Sequence, residues 1–152
     1  MTQRQQKGRQ LFLEGYTCSQ AVLLAFSDVT GLDESVAGKL SSVFGGGMSG
    51  MRGVCGAVTG AFMAMGLIYG FERPVPLAQK TETYARARQI AEIFNQHHQS
   101  VLCKELLAAL PQKLSENPSL RDDAYYKERP CVMFVEDAIA ILEDYLNENP
   151  VR

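Results

Sequence analysis

Residues 44–60 read FGGGMSGMRGVCGAVTG, a glycine-rich loop that runs directly into an apolar segment. Glycine has no Cβ, so its backbone can adopt positive φ and come close to a neighbour. From residue 54 to residue 69 the apolar residues show no period-two alternation of a strand, and Gly70 with Pro74 ends the pattern. The stretch therefore predicts a tight loop followed by a buried helix.

The rest of the chain has the 3.6-residue periodicity of amphipathic helices on both sides of this loop. Thr17 in the sequence TCSQ and Asp33 are typical N-caps, Gly31 is typical of a helix end, and Pro130 is typical of a helix start. We expect an irregular connection over 111–129. The prediction is a single all-α domain over 1–152, a bundle of six or seven helices at about 3–16, 18–29, 34–44, 54–69, 77–98, 101–110 and 130–147.

Length, composition and charge exclude several classes of protein. The chain has 152 residues, of which 46% are hydrophobic, enough for one buried core. A net charge of -2 without a basic stripe argues against a nucleic-acid partner. The apolar run 54–70 is short for a bilayer and contains glycines, so we expect a core helix and no stable membrane span. The polar N-terminus lacks a secretory signal, which predicts a cytoplasmic protein with reduced cysteines.

The four cysteines, Cys18, Cys55, Cys103 and Cys131, share one position. Each lies in the first turn of a predicted helix, where unpaired N–H groups and the positive end of the helix dipole favour a thiolate. Each also begins an apolar series with helical spacing, so we expect all four to point inward. Up-and-down helices would bring these starts to one end of the bundle. The sequence therefore predicts a cluster of four sulfur atoms.

Three interpretations fit such a cluster. A thiolate can attack a disulfide while a second thiol resolves the product, and Cys55, close to Arg52, is our candidate nucleophile. Alternatively, four thiolates can hold zinc or an iron–sulfur cluster. In the third interpretation the cysteines only pack as small apolar residues, and the bundle binds a small molecule. No Cys-x-x-Cys pair is present, so tertiary structure must assemble any such site.

The glycines and the histidines are further candidates. Gly45, Gly46, Gly47 and Gly56 could let a ligand or an anion approach backbone amides beside a helix start, although tight helix packing explains them equally well. His97 and His98 end the predicted helix 77–98. One imidazole could reach Cys103 as a base or a ligand, but a position at the surface or at the helix end is the more common one.

The same residues resemble a known family. The CSQAV sequence that starts at Cys18, the FGGG loop, the pattern C-G-A-x-x-G at 55–60 and the isolated Cys103 and Cys131 are similar to the C_GCAxxG_C_C family, whose proteins have about this length and are described as redox-active. The resemblance implies that the four cysteines carry redox chemistry. It also implies a small-molecule or protein partner that exchanges thiols or electrons with them.

Overall fold

The computed structural model describes residues 1–151, and its regular structure is helical, as predicted. A short 3-10 turn, Ser42–Phe44, follows the fourth helix. The α-helices are α1 (Gln3–Leu13), α2 (Cys18–Ala25), α3 (Ser27–Thr30), α4 (Glu34–Ser41), α5 (Gly45–Met48), α6 (Gly56–Tyr69), α7 (Leu77–His98), α8 (Cys103–Leu106), α9 (Asp123–Glu128) and α10 (Cys131–Glu148).

Side-chain caps fix several of the helix starts. The Thr17 hydroxyl accepts a hydrogen bond from the Gln20 amide, and the Gln20 side chain accepts one from the Thr17 amide, which closes a capping box at the start of α2. Asp33 caps α4 in the same way by accepting from the amide of Val36. These caps confirm the starts that the sequence predicted.

The core of the bundle is built around α2. Every residue from Ala21 to Phe26 is buried, and α2 packs against α1, α4, α6 and α10. Gly60 of α6 allows the closest of these contacts, because a Cβ there would lie 2.7 Å from the backbone oxygen of Ser19. On the other side, Ile90 and Phe94 of α7 are fully buried in the same core. The three helices α2, α6 and α10 therefore share one apolar interior.

The predicted helix bounds differ from the structure in several places, and the three largest differences are these. The first is 18–29, where the chain breaks at Phe26 into α2 and α3. In the second, 101–110, only Cys103–Leu106 is helical. The third is the connection 111–129, which contains α9, because the carboxylate of Asp122 accepts a hydrogen bond from the Tyr125 amide and caps a helical turn there.

One pair of extended segments joins α6 to α8. Val54, predicted to be helical, instead forms an isolated antiparallel bridge with Leu102. The amide of Cys55 donates to the oxygen of Val101 at 2.8 Å, and the amide of Cys103 donates to the oxygen of Gly53 at 2.6 Å. These two hydrogen bonds hold the starts of α6 and α8 side by side.

Over residues 1–151, no helix has both the length and the apolar character needed to cross a bilayer.

Candidate functional site

The four cysteines line one cavity of about 350 Å³. Cys18, Cys103 and Cys131 are the first residues of α2, α8 and α10, and Cys55 is the N-cap of α6. All four are free thiols; Cys18 is half-buried and the other three are buried. The structure therefore brings the sequence-predicted cysteines together at one end of the bundle. The glycine-rich loop and the segment before α9 complete the wall of the cavity.

Cys18 and Cys131 both line this cavity, and each shifts the pKa of the other. The hydrogen bond from the Cys18 thiol lowers the pKa of Cys131 to about 7, and the nearby charges of Arg129 and Arg121 and a hydrogen bond from the Tyr125 hydroxyl act in the same direction. The same hydrogen bond raises the pKa of Cys18 well above its ordinary value. Near pH 7, therefore, Cys131 is about half ionised while Cys18 keeps its proton.

Cys55 and Cys103 have the opposite character. Burial raises the pKa of Cys55 to about 12, although the backbone amides of Ala57 and Val58 act against it. Burial also raises the pKa of Cys103, with Arg52 opposing the change from 3.6 Å. The expectation of four helix-start thiolates is therefore wrong for three of the cysteines, because desolvation outweighs the helix position. Cys55, our sequence-based choice of nucleophile, is a poor one on this ground.

The glycines let the thiol-bearing segments approach one another. Gly46 and Gly47 have positive φ, and a Cβ on Gly47 would lie 2.7 Å from the Cβ of Cys103. A Cβ on Gly56 would lie 3.1 Å from the Cβ of Cys18. Close packing around the sulfur atoms thus accounts for these glycines. In the predicted amide nest, the amides of residues 52 and 53 already donate to the carbonyls of residues 46 and 47.

Three arginines line the cavity beside the cysteines, and the sequence analysis missed two of them, Arg121 and Arg129. Arg129 is only 9% exposed and donates to the hydroxyl of Ser119. It lies two residues before Cys131 in the sequence Arg-Pro-Cys, a signal that could have been noticed. Tyr125 was missed as well, because it belongs to α9, which was predicted as irregular. Burial raises its pKa, so its hydroxyl stays protonated as a hydrogen-bond donor.

The histidines contact a carboxylate. His97 and His98 both hydrogen-bond the same oxygen of Asp137, at 2.9 and 2.6 Å, and His98 packs between the rings of Phe94 and Phe134. These two nitrogens and one oxygen lie within 4.8 Å of one another and could hold a divalent cation. In the structure, therefore, both imidazoles bond Asp137, whereas the sulfur of Cys103 accepts from Arg52.

The spacing of the sulfur atoms bears on the predicted metal site. Among the described His, Cys, Asp and Glu residues, only His97, His98 and Asp137 have three ligand atoms within 4.8 Å of one another. No three cysteine sulfurs are therefore that close. A tetrahedral zinc site with Zn–S bonds near 2.3 Å holds its sulfurs about 3.8 Å apart. Four-thiolate zinc binding would therefore require the cysteine side chains to rotate or the helix starts to move together.

One of the comparisons with known proteins gives a match, and it includes the cysteines. A family model described as "Putative redox-active protein (C_GCAxxG_C_C)" matches residues 16–145, which include all four cysteines and the glycine motif. No curated protein and no solved structure matches the chain.

Proposed function

Because the chain belongs to the C_GCAxxG_C_C family, which is described as redox-active, we propose that Cys131 and Cys18 are the reacting pair of a thiol–disulfide redox centre. One observation carries this proposal: Cys18 and Cys131 line the same cavity at the starts of two helices, and Cys18 lowers the pKa of Cys131 to about 7. A thiolate is the nucleophile in disulfide exchange, and a thiol with a pKa near ambient pH combines abundance with nucleophilicity.

The proposed reaction has two steps. The Cys131 thiolate attacks one sulfur of a substrate disulfide, a bond forms between these sulfurs, and the leaving thiolate takes the proton of Cys18. Cys18 then attacks the sulfur of Cys131 and releases the second substrate thiolate, which takes a proton from water. The protein dithiol loses two electrons and the substrate disulfide gains them. The partner is therefore a small-molecule or protein disulfide.

Cys55 and Cys103 are the slow thiols of this centre. Their raised pKa keeps them protonated at neutral pH, so we expect them to react only after the first pair has been oxidised. Their position on the wall of the same cavity supports a second exchange with the Cys18–Cys131 disulfide.

Serine substitutions test the assignment of roles. Reduced protein is mixed with 2-hydroxyethyl disulfide under anaerobic conditions, and the products are followed by intact-protein mass spectrometry. We expect Cys131→Ser to abolish the fast phase and Cys18→Ser to trap a mixed disulfide on Cys131. The matched comparison is Cys55→Ser, a buried cysteine in the same cavity, which should retain the fast phase. A Cys131→Ser protein that reacts at the wild-type rate would refute the assignment.

Metal and sulfide analysis separates this function from the four-thiolate alternative. The right donor atoms for zinc or an iron–sulfur cluster face one cavity, which is the observation that favours a metal centre. Protein purified without oxygen should contain four thiols that titrate once it is unfolded and no stoichiometric metal. If the protein instead contains stoichiometric zinc, or iron together with sulfide, and each of the four cysteine variants loses it, the site is a metal centre and the disulfide mechanism is wrong.

A further inference from the structure

The cavity that holds the cysteines carries an excess of positive charge. Its lining includes Arg52, Arg121 and Arg129, whereas the carboxylate in the lining, Glu116, is exposed at the rim. In the described part of the chain, no carboxylate lies within 4.0 Å of these three guanidinium groups, although other arginines pair with acids. A chain with a net charge of -2 has thus concentrated unpaired cations beside its thiols.

Arg129 is the most buried of the three arginines. Its guanidinium lies 4.7 Å from the centre of the Tyr125 ring and donates to the hydroxyl of Ser119 at 2.9 Å, and the residue is 9% exposed. A buried cation is costly unless an anion compensates it. The Cys131 thiolate supplies one negative charge, which leaves two guanidinium groups without an anionic partner.

The other two arginines are held in place by backbone carbonyls. Arg52 donates twice to the oxygen of Ser115, at 3.2 and 2.6 Å, while its Nη1 points to the sulfur of Cys103. Arg121 donates to the oxygens of Phe12 and Tyr16 at 3.1 and 3.0 Å. Neutral carbonyls orient these groups without cancelling their charge, so the cations are preorganised for a ligand.

We infer that the cavity selects a small disulfide that carries carboxylate groups, with Arg52, Arg121 and Arg129 as the groups that bind its charge. This inference rests on the proposed thiol–disulfide function. A planar guanidinium fits a carboxylate with two parallel hydrogen bonds, and such charge-assisted bonds are stronger than those between neutral groups. A bound carboxylate would place the disulfide sulfur beside Cys131. The electron balance is unchanged: the substrate disulfide is reduced to two thiols while the Cys18–Cys131 pair is oxidised.

Three disulfides of different charge test the selection: 3,3'-dithiodipropionate, 2-hydroxyethyl disulfide and cystamine. Each second-order rate constant is divided by the rate constant of the same disulfide with 2-mercaptoethanol, which removes differences in intrinsic reactivity. We expect the normalised rate to be about ten-fold higher for the anionic disulfide than for the neutral one, because a hydrogen bond to a charged group contributes about 1.5 kcal/mol or more. The preference should shrink as salt is raised.

Variants of Arg52 identify the binding groups. Arg52→Gln should lower the ratio of anionic to neutral rates about two-fold, an equal share of the ten-fold preference among three arginines, whereas Arg52→Lys should keep most of the preference because it keeps the charge. The matched control is Arg73→Gln, since Arg73 is highly exposed and pairs only with Glu72. Equal normalised rates for the three disulfides, or an equal loss for all three in Arg52→Gln, would overturn the inference.

A binding experiment separates this inference from the proposed function. Suberate is the carbon isostere of dithiodipropionate and cannot exchange thiols, and 1,8-octanediol is its neutral control. A Cys18→Ser, Cys131→Ser double variant should bind suberate in calorimetry and should not bind the diol. If wild-type protein reduces hydroxyethyl disulfide but neither prefers the anionic disulfide nor binds suberate, the selection fails and the redox function stands. If suberate binds but no disulfide reacts, the redox function fails.

Discussion

Removing the Cys18 thiol should change the acidity of its neighbour. The hydrogen bond from Cys18 is the largest cause of the low pKa of Cys131, so Cys18→Ala leaves Arg129, Arg121 and Tyr125 as the remaining stabilising groups. A hydrogen bond to a charged acceptor contributes about 1.5 kcal/mol, which corresponds to about a ten-fold change in the acid dissociation constant. From a starting pKa of about 7, the thiolate fraction at pH 7 should then fall about five-fold.

Alkylation measures this fraction directly. Reduced wild-type protein and Cys18→Ala are treated with iodoacetamide for short times between pH 5 and pH 10, and the modification of Cys131 is quantified by peptide mass spectrometry. We expect the wild-type midpoint near 7 and a midpoint shifted upward in the variant. Cys55→Ala is the control, because Cys55 affects the pair only through a weaker charge interaction and should leave the midpoint in place. A midpoint of Cys131 that does not move in Cys18→Ala would refute the hydrogen-bonded pair.

Three further changes test the packing around the site. The pKa of Cys55 in the folded protein, about 12, lies above the ordinary thiol value of 9.0, so its contribution to stability is present below about pH 9 and is lost as the pH rises. Cys55→Ala should therefore reduce the loss in unfolding free energy between pH 9 and pH 10.5 by about 2 kcal/mol in urea titrations. Gly47→Ala should lower the free energy of unfolding by about 3 kcal/mol in thermal denaturation, since its φ is +62° and the new Cβ would clash with Cys103. The control Gly66→Ala, in open space within α6, should not destabilise the protein in the same assay. Asp137→Ala should lower the free energy of unfolding by about 1–2 kcal/mol in the same assay, because two imidazoles lose their shared hydrogen-bond partner. An unchanged melting temperature would show that these hydrogen bonds do not stabilise the fold.

Local sequence signals predicted the starts of the two helices that carry Cys18 and Cys131. Thr17 and Gln20 lie three residues apart and cap α2 through their own side chains and backbone, so the start of that helix depends only on neighbouring residues. Pro130 precedes α10 in the same local way. The apolar series that follow Cys18 and Cys131 then turn both residues toward the interior. Placing Cys18 and Cys131 at their helix starts therefore needed little information from distant parts of the chain.

Contacts between distant residues account for most of what the sequence did not predict. The bridge between Val54 and Leu102 replaces the first turn of the predicted helix, because each segment supplies the hydrogen-bond partners of the other. Arg121 reaches the cavity only because its guanidinium binds carbonyls more than 100 residues away in the chain. No periodicity or cap in 111–129 encodes that contact, so the positive wall of the cavity was not predictable from local pattern.

The acidity of the four thiols shows why helix position alone does not identify a nucleophile. Cys55 and Cys131 both sit at the starts of long helices, and both are about equally buried. The pKa of Cys131 is in addition lowered by hydrogen bonds from a thiol and a phenol and by two guanidinium groups, whereas the neighbouring thiols of Cys131 and Cys103 raise the pKa of Cys55. Burial without such partners favours the neutral thiol, and burial with them favours the thiolate. The reactive cysteine is therefore chosen by its hydrogen-bond donors and cations, which the fold supplies from α2, from α9 and from the segments on either side of α9.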